Sequence, residues 1–223
     1  RRLLQTEGAD VFFYASNGHG VWEAVVQNLI PPDGAALVRF MQEQAITTVT
    51  LPPSVLTALD PNAVRTLETV ISAGEQCTPD ILARWGAGRS LFNAYGPTET
   101  TVCATYYRCP PKEALADWIS IGAPIAHYRV YILDRFLHVL PIGLAGELCI
   151  AGPGLSRGYL NNPELTAEKF ISPPLHGGEG VEVEERSFGS CSHRCLRLLS
   201  CGDKGVRLDR LYKTGDRARW LPD

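Results

Sequence analysis

Residues 90–101 read Ser90-Leu91-Phe92-Asn93-Ala94-Tyr95-Gly96-Pro97-Thr98-Glu99-Thr100-Thr101. The first five, Ser90 to Ala94, have the short, apolar character of a buried strand, and Gly96-Pro97 then makes a tight turn. Thr98, Glu99, Thr100 and Thr101 therefore present hydroxyls and one carboxylate just beyond the strand's C-terminal end. In open α/β sheets that is where ligands bind. Hydroxyls and turn amides suit phosphate oxygens, a carboxylate suits Mg2+, and Tyr95 offers a face on which a base can stack. The same residues also suit a plainer role, a polar turn that starts a helix, with Thr98 as N-cap and Glu99 in its first turn. The residues by themselves leave both open.

Upstream of this strand the chain alternates helical and extended patterns. Gly34 to Gln44 places Ala36, Leu37, Phe40 and Met41 at helical spacing behind Asp33, an expected N-cap. Ile46 to Leu51 is β-branched and ends at Pro52-Pro53. Thr69 to Ala73 repeats that character, Gly74 turns the chain, and Thr78-Pro79 opens a helix that runs to Trp85. Strands separated by helices imply βαβ units and a parallel sheet. Downstream the texture changes: Tyr128 to Leu133 and Gly146 to Ala151 are strands with no strong helix between them, which reads as an antiparallel or barrel-like subdomain. Asn162 to Phe170 is a short capped helix with Pro163 in its first turn. The expected organisation is an α/β chain with a βα sheet subdomain at 1–125 and a distorted antiparallel β-barrel subdomain at 126–223.

Composition sets the frame. The chain has 223 residues, 21 Lys+Arg against 24 Asp+Glu, and 45% hydrophobic content. Such a chain buries a sizeable core without staples. Apolar runs such as Val11 to Tyr14 fall far short of the roughly 20 residues that span a bilayer, and no basic excess points to nucleic acid. Neither a membrane nor a nucleic acid is expected as partner. Seven cysteines without a regular framework suggest reduced thiols and a cytoplasmic setting.

Asn93 to Thr101, NAYGPTETT, resembles a core motif of the adenylation domains of non-ribosomal peptide synthetases, members of the adenylate-forming superfamily. Gly146 to Pro163 (GELCIAGPGLSRGYLNNP) and Tyr212 to Trp220 (YKTGDRARW) resemble the next two motifs in the family's order. The resemblance implies ATP-dependent activation of an amino acid as an aminoacyl-adenylate, followed by loading onto the phosphopantetheine arm of a peptidyl carrier protein, with a condensation domain as neighbour. By matching motif positions it implies that Thr98 contacts the α-phosphate and Glu99 holds Mg2+. Tyr95 would stack on adenine, with Asn93 near its amino group, Gly96 in the turn, and Gly74-Glu75 along the base's other side. Asp216 would accept from the ribose hydroxyls, supported by Arg219. The family's pocket positions fall on Trp22, Thr50, Ile71, Ala73, Ala94, Val102 and Cys103, a set similar to the phenylalanine-activating domains of gramicidin and tyrocidine synthetases. Small residues at Ala73 and Ala94 leave volume and apolar ones wall it, so a large apolar or aromatic amino acid is expected.

Three departures qualify that expectation. The family usually runs Phe-Asp-Ala-Ser straight into Val-Trp-Glu. Here Phe13-Tyr14-Ala15-Ser16 is followed by Asn17-Gly18-His19-Gly20 and only then by Val21-Trp22-Glu23, so Tyr14 stands where the family's Asp pairs with the substrate ammonium. A buried ammonium without its partner costs about 3 to 5 kcal/mol. Local corruption or decay, an inactive domain, and a substrate without an α-amino group all account for this, and the first is favoured. Second, 172–210 is read as a disordered insertion. Its Cys191, His193, Cys195 and Cys201 lack the paired spacing of a structural zinc site. Third, the family's phosphate loop and catalytic lysine are expected outside residues 1–223, so the fragment is not expected to turn over alone. A stand-alone acyl or aryl acid ligase and a catalytically dead remnant remain the rival readings.

Overall fold

The structure is a computed structural model that describes residues 34–110, 119–172 and 210–222 with their side chains, and the backbone alone of 12–16, 21–25, 182–184 and 197–199. The chain divides into two compact units, residues 1–96 with 105–122, and residues 97–104 with 123–223.

In the first unit six strands, β1 (Phe12–Ser16), β2 (Val21–Val25), β3 (Thr48–Leu51), β4 (Thr69–Ala73), β5 (Ser90–Tyr95) and β6 (Thr105–Arg108), lie in the order β2-β1-β3-β4-β5-β6. β3, β4 and β5 run parallel, joined by crossovers through α2 (Pro53–Ala58) and α3 (Pro79–Trp85), as the βαβ pattern requires. The sheet is mixed rather than wholly parallel, because β1 and β6 join it antiparallel. Residues 96–104, between β5 and β6, are fewer than the dozen or more that a parallel crossover needs.

Alternation sends Val49 and Leu51, Val70, and Leu91 to one side of β3, β4 and β5. There they meet Leu37 and Met41 of α1 (Ala35–Glu43), Leu56 of α2, and Ile81 and Trp85 of α3 in one apolar cluster. Trp85 is fully enclosed, and its indole N–H donates to the Leu56 carbonyl at 3.0 Å, so its one polar atom is satisfied. The residue that caps α1 is Gly34, not the expected Asp33, which lies outside the described residues. Gly34 has φ 65, and a Cβ there would run into Leu59, so the left-handed turn and the close approach both select glycine.

In the second unit β7 (Ala123–Pro124) precedes β8 (Arg129–Leu133) and β9 (Gly146–Ala151); α4 (Pro163–Lys169) then leads into β10 (Phe170–Ile171). With β13 (Leu211–Ala218), the strands β8, β9 and β10 build an antiparallel sheet in the order β10-β13-β9-β8. Asn162 caps α4 by accepting from the Leu165 N–H at 3.0 Å, with Pro163 in the first turn where its missing N–H costs nothing. Within the stretch 172–210, β11 (Glu182–Glu184) pairs with β12 (Arg197–Leu199) as a short antiparallel ladder. The cysteines and histidine weighed there for zinc lie outside the described residues. Among the described residues no helix is long and apolar enough to cross a membrane.

Candidate functional site

The first unit collects its candidate site residues at the C-terminal ends of β3, β4 and β5. Thr50 lies beside Ile71, and Ala73 beside Ala94, in the parallel register. They occupy the sheet face opposite the one that Val49, Val70 and Leu91 give to the core. No charge stands among them, which is the chemistry of an apolar pocket wall. Two aromatics that the motif reading missed share this face: Phe92, in register with Ile71, and Tyr106, in register with Ala94, their rings 6.3 Å apart. Period-two alternation back from Ala94 was the signal for Phe92. Trp22 falls differently. Its backbone pairs with Ala15, which pairs with Val49, so it shares the row of Val49 rather than that of Thr50; the row of Thr50 is shared by Tyr14. The side chains of Trp22 and Tyr14 lie outside the described residues.

The residues expected around a base divide by what already holds them. Gly74 turns the chain after β4 at φ 88, and a Cβ there would meet nothing within 4 Å, so the glycine answers the backbone angle, not crowding. Glu75 is tied to the start of α2: its carboxylate accepts from the Ser54 N–H at 2.9 Å and from the Ser54 hydroxyl at 2.8 Å. That bond fixes the strand exit through Gly74. Asn93 is buried on β5 and its side-chain amide donates to the Ser120 carbonyl at 2.9 Å, while Tyr95 ends the strand half-buried before Gly96.

The second unit contains the turn itself. Thr98–Thr100 form one turn of 3-10 helix behind Pro97, so the helix start considered from composition is realised only as a single turn. Thr98 is exposed, Glu99 half-buried and Thr100 fully buried. Three contacts anchor the turn to the run 152–159 and to Tyr128. The Tyr128 hydroxyl donates to the Thr100 carbonyl at 2.6 Å, the Thr101 hydroxyl donates to the Gly154 carbonyl at 2.6 Å, and the Ser156 N–H donates to the Glu99 carbonyl at 2.7 Å. A Cβ on Gly154 would collide with the Tyr128 hydroxyl, which explains the glycine. Beyond it Thr101 and Val102 both have positive φ, 59 and 73. For β-branched residues that is strain of about 1 to 3 kcal/mol each, sustained by the surrounding bonds. Val102 projects into solvent at 68% exposure, and Cys103 beside it is half-buried, its thiol pushed up by burial.

The Glu99 carboxylate has a specific cradle. Tyr159 donates its hydroxyl to Oε1 at 2.6 Å, and the Tyr212 hydroxyl stands 3.4 Å from that of Tyr159. Burial acts to raise the carboxyl, but hydrogen bonds from Tyr159, its own backbone amide and Tyr212, with the nearby Lys169 charge, outweigh it and leave Glu99 below the ordinary carboxylate range. Burial, reinforced by the hydrogen-bonded network with Glu99, pushes both phenols up. These tyrosines were also missed from sequence, although both lie inside the quoted motifs. Among the described residues no three His, Cys, Asp or Glu gather as a metal cage. A cation at Glu99 would take most of its ligands from phosphate oxygens and water, a pattern that suits Mg2+.

Asp216 owes its position to a bulge. β13 pairs Lys213 with Cys149 and then Arg217 with Glu147, so Thr214, Gly215 and Asp216 stand opposite Leu148 alone. The Thr214 hydroxyl donates to the Leu148 carbonyl at 2.8 Å and accepts from the Asp216 N–H at 3.0 Å, while Gly215 takes φ 83. The bulge lifts Asp216 off the sheet into an exposed position, with Arg219 exposed three residues on.

Residues 8–160 match the family model described as AMP-binding enzyme. The chain is 42% identical over 192 residues to bacitracin synthase 3 of Bacillus licheniformis, which covers 85% of this chain and 2% of that protein. It is 39% identical over 185 residues to gramicidin S synthase 1 of Brevibacillus brevis, covering 83% of this chain and 14% of that one. The AMPPNP-bound structure of the non-ribosomal peptide synthetase FmoA3 shares its fold, with TM-score 0.67 and 27% identity across 86% of this chain and 19% of that chain. The chain thus spans a small part of the length of these relatives. The mixed sheet and the curled antiparallel sheet are those of the N-terminal region of an adenylation domain. With more than half its length inside the family model, the chain belongs to the AMP-binding enzyme family and is similar within it to the adenylation domains of non-ribosomal peptide synthetases.

Proposed function

We propose that this chain is the part of a peptide-synthetase adenylation domain that holds the nucleotide and the acid during ATP-dependent amino acid activation. The observation that carries this is the anchored turn Thr98–Thr100, which presents an exposed hydroxyl at Thr98 beside a carboxylate at Glu99 fixed by Tyr159. In the proposed reaction an acid carboxylate oxygen bonds to the α-phosphorus of ATP, the bond to the bridging oxygen breaks, and pyrophosphate leaves. Thr98 and the turn amides would hold α-phosphate oxygens, and catalysis would come from position and charge rather than a protein nucleophile. Mg2+ bound at Glu99 would supply neutralisation of the phosphate charge. Tyr95 and Gly74 would sandwich the adenine near Asn93, Asp216 would accept from the ribose hydroxyls, and Arg219 would support that corner.

Thr50, Ile71, Ala73 and Ala94 would line a pocket for phenylalanine or another large apolar acid. The product would pass to the phosphopantetheine thiol of a peptidyl carrier protein in a longer chain that also holds a condensation domain, in the cytoplasm. A stand-alone acyl or aryl acid ligase is the second reading, favoured by the absence of a carboxylate at Tyr14.

Pyrophosphate exchange by the full-length protein, screened with amino, hydroxy and aryl acids, tests this. In a variant that carries Tyr14→Asp and lacks residues 17–20, exchange should become phenylalanine-dependent. Exchange only with acids lacking an α-amino group would favour the second reading, and no exchange in either form with any acid would leave a structural remnant.

A further inference from the structure

The structure assigns Tyr159 a role beyond packing: we propose that it is the positioning residue that aims the Glu99 carboxylate, with Tyr212 as the second hydroxyl of the same clamp. The inference rests on the proposed reading of Glu99 as the residue that holds the nucleotide's divalent cation.

The geometry favours aim over mere burial. A phenol O–H at 2.6 Å from a carboxylate oxygen is a short, charge-assisted bond, and Glu99 keeps acceptor capacity beyond Oε1 for a cation. Tyr159 is itself held at both ends. Its N–H donates to the Thr166 hydroxyl at 2.9 Å, and its ring meets Phe170 edge-on at 5.9 Å. The Phe170 ring in turn meets that of Tyr212 at a tilt, 4.9 Å between centroids, and lies under the Arg210 guanidinium at 4.2 Å. Arg210 donates to the Ser156 and Arg157 carbonyls at 3.0 and 2.8 Å, and the Ser156 N–H holds the Glu99 carbonyl. The Glu99 backbone and side chain are thus fixed from the same framework, 60 residues away in sequence. A freely rotating carboxylate would pay rotamer entropy at each binding event, whereas one already aimed loses none. The partner of a metal-holding carboxylate orients it in this way, and its loss typically weakens metal binding about 10- to 100-fold.

The test uses the full-length protein loaded with AMPPNP, with Mn2+ as the probe, its binding followed by electron paramagnetic resonance. Tyr159→Phe should weaken Mn2+ by about tenfold or more while thermal unfolding stays near that of the unsubstituted protein. Glu99→Gln should weaken it further, and the double variant should be no weaker than Glu99→Gln alone. In exchange assays Tyr159→Phe should raise the metal concentration needed for half-maximal rate more than it lowers the rate at saturating metal. If Glu99→Gln binds Mn2+ normally, the reading of Glu99 is wrong and the clamp falls with it. If Glu99→Gln is weakened but Tyr159→Phe is not, the clamp alone is overturned. Should Tyr159→Phe unfold early, Tyr212→Phe decides instead: a weaker Mn2+ affinity supports the clamp, and an unchanged one overturns it.

Discussion

The two units place their candidate site residues by different physics. In the first, Thr50, Ile71, Ala73 and Ala94 stand where they do because β3, β4 and β5 are in register over one apolar cluster. Position there is a by-product of the core, spread over many contacts. In the second, Thr98 and Glu99 sit on a turn with two strained residues behind it, held by single bonds from Tyr128, Tyr159, Thr101 and Ser156. A sheet-built wall should therefore survive most single substitutions and fail only with its core. A bond-built turn should lose its geometry to one well-chosen change while its unit stays folded.

Three substitutions would break or sharpen that contrast. Trp85→Ala strikes the core of the first unit, where the ring is fully enclosed and its N–H satisfied, and should cost about 3 to 5 kcal/mol in denaturant unfolding. Loss of less than about 1 kcal/mol would show that the wall does not depend on that core. Gly154→Val drives a side chain into the Tyr128 hydroxyl and breaks its bond to Thr100, at a cost of about 1 to 3 kcal/mol. Pyrophosphate exchange in the full-length protein should fall much further than that stability loss accounts for; exchange that stays at the unsubstituted level would mean the turn needs no such anchor.

The smallest effect belongs to Asp134, on the exposed turn after β8. Its carboxylate accepts from the His138 N–H at 2.9 Å and the Phe136 N–H at 2.8 Å, with the His138 ring at 3.3 Å. The His138 amide chiefly, then that of Phe136 and the His138 ring, hold its carboxyl below the ordinary carboxylate value. A depressed folded value means the stabilisation is present above the ordinary carboxylate range and is lost as pH falls through the folded value. Asp134→Asn should therefore be slightly less stable at neutral pH, with its unfolding midpoints converging on the unsubstituted protein's in acid. Curves that stay parallel across the whole series would remove the carboxylate from the account.

Much of the fold was legible because local pattern and tertiary role agree. Thr69–Ala73 and Gly146–Ala151 begin and end where alternation and flanking glycines place them, and Pro79–Trp85 starts after Thr78 as its proline demands. The N-cap of α1 was not legible, since Gly34 is selected by the nearness of Leu59 rather than by any neighbour in sequence. Nor was the antiparallel entry of β6, which depends on how short a connection the chain leaves after β5. Around the candidate site the difference is sharper. NAYGPTETT and YKTGD mark the site in one dimension, and the role expected of Glu99 followed from resemblance. That Tyr159 reaches Glu99, that Tyr128 props Thr100, and that a bulge lifts Asp216 off β13 are consequences of which strands lie side by side.

The amino-acid sequence determined the elements, the two textures of sheet and the family, because apolar periodicity, turn residues and motif chemistry are local and survive in one dimension. Only the tertiary structure decided which tyrosine aims the carboxylate and which glycine must be bare, because a hydrogen bond across 60 residues or a missing Cβ's collision exists only once the chain has folded back on itself.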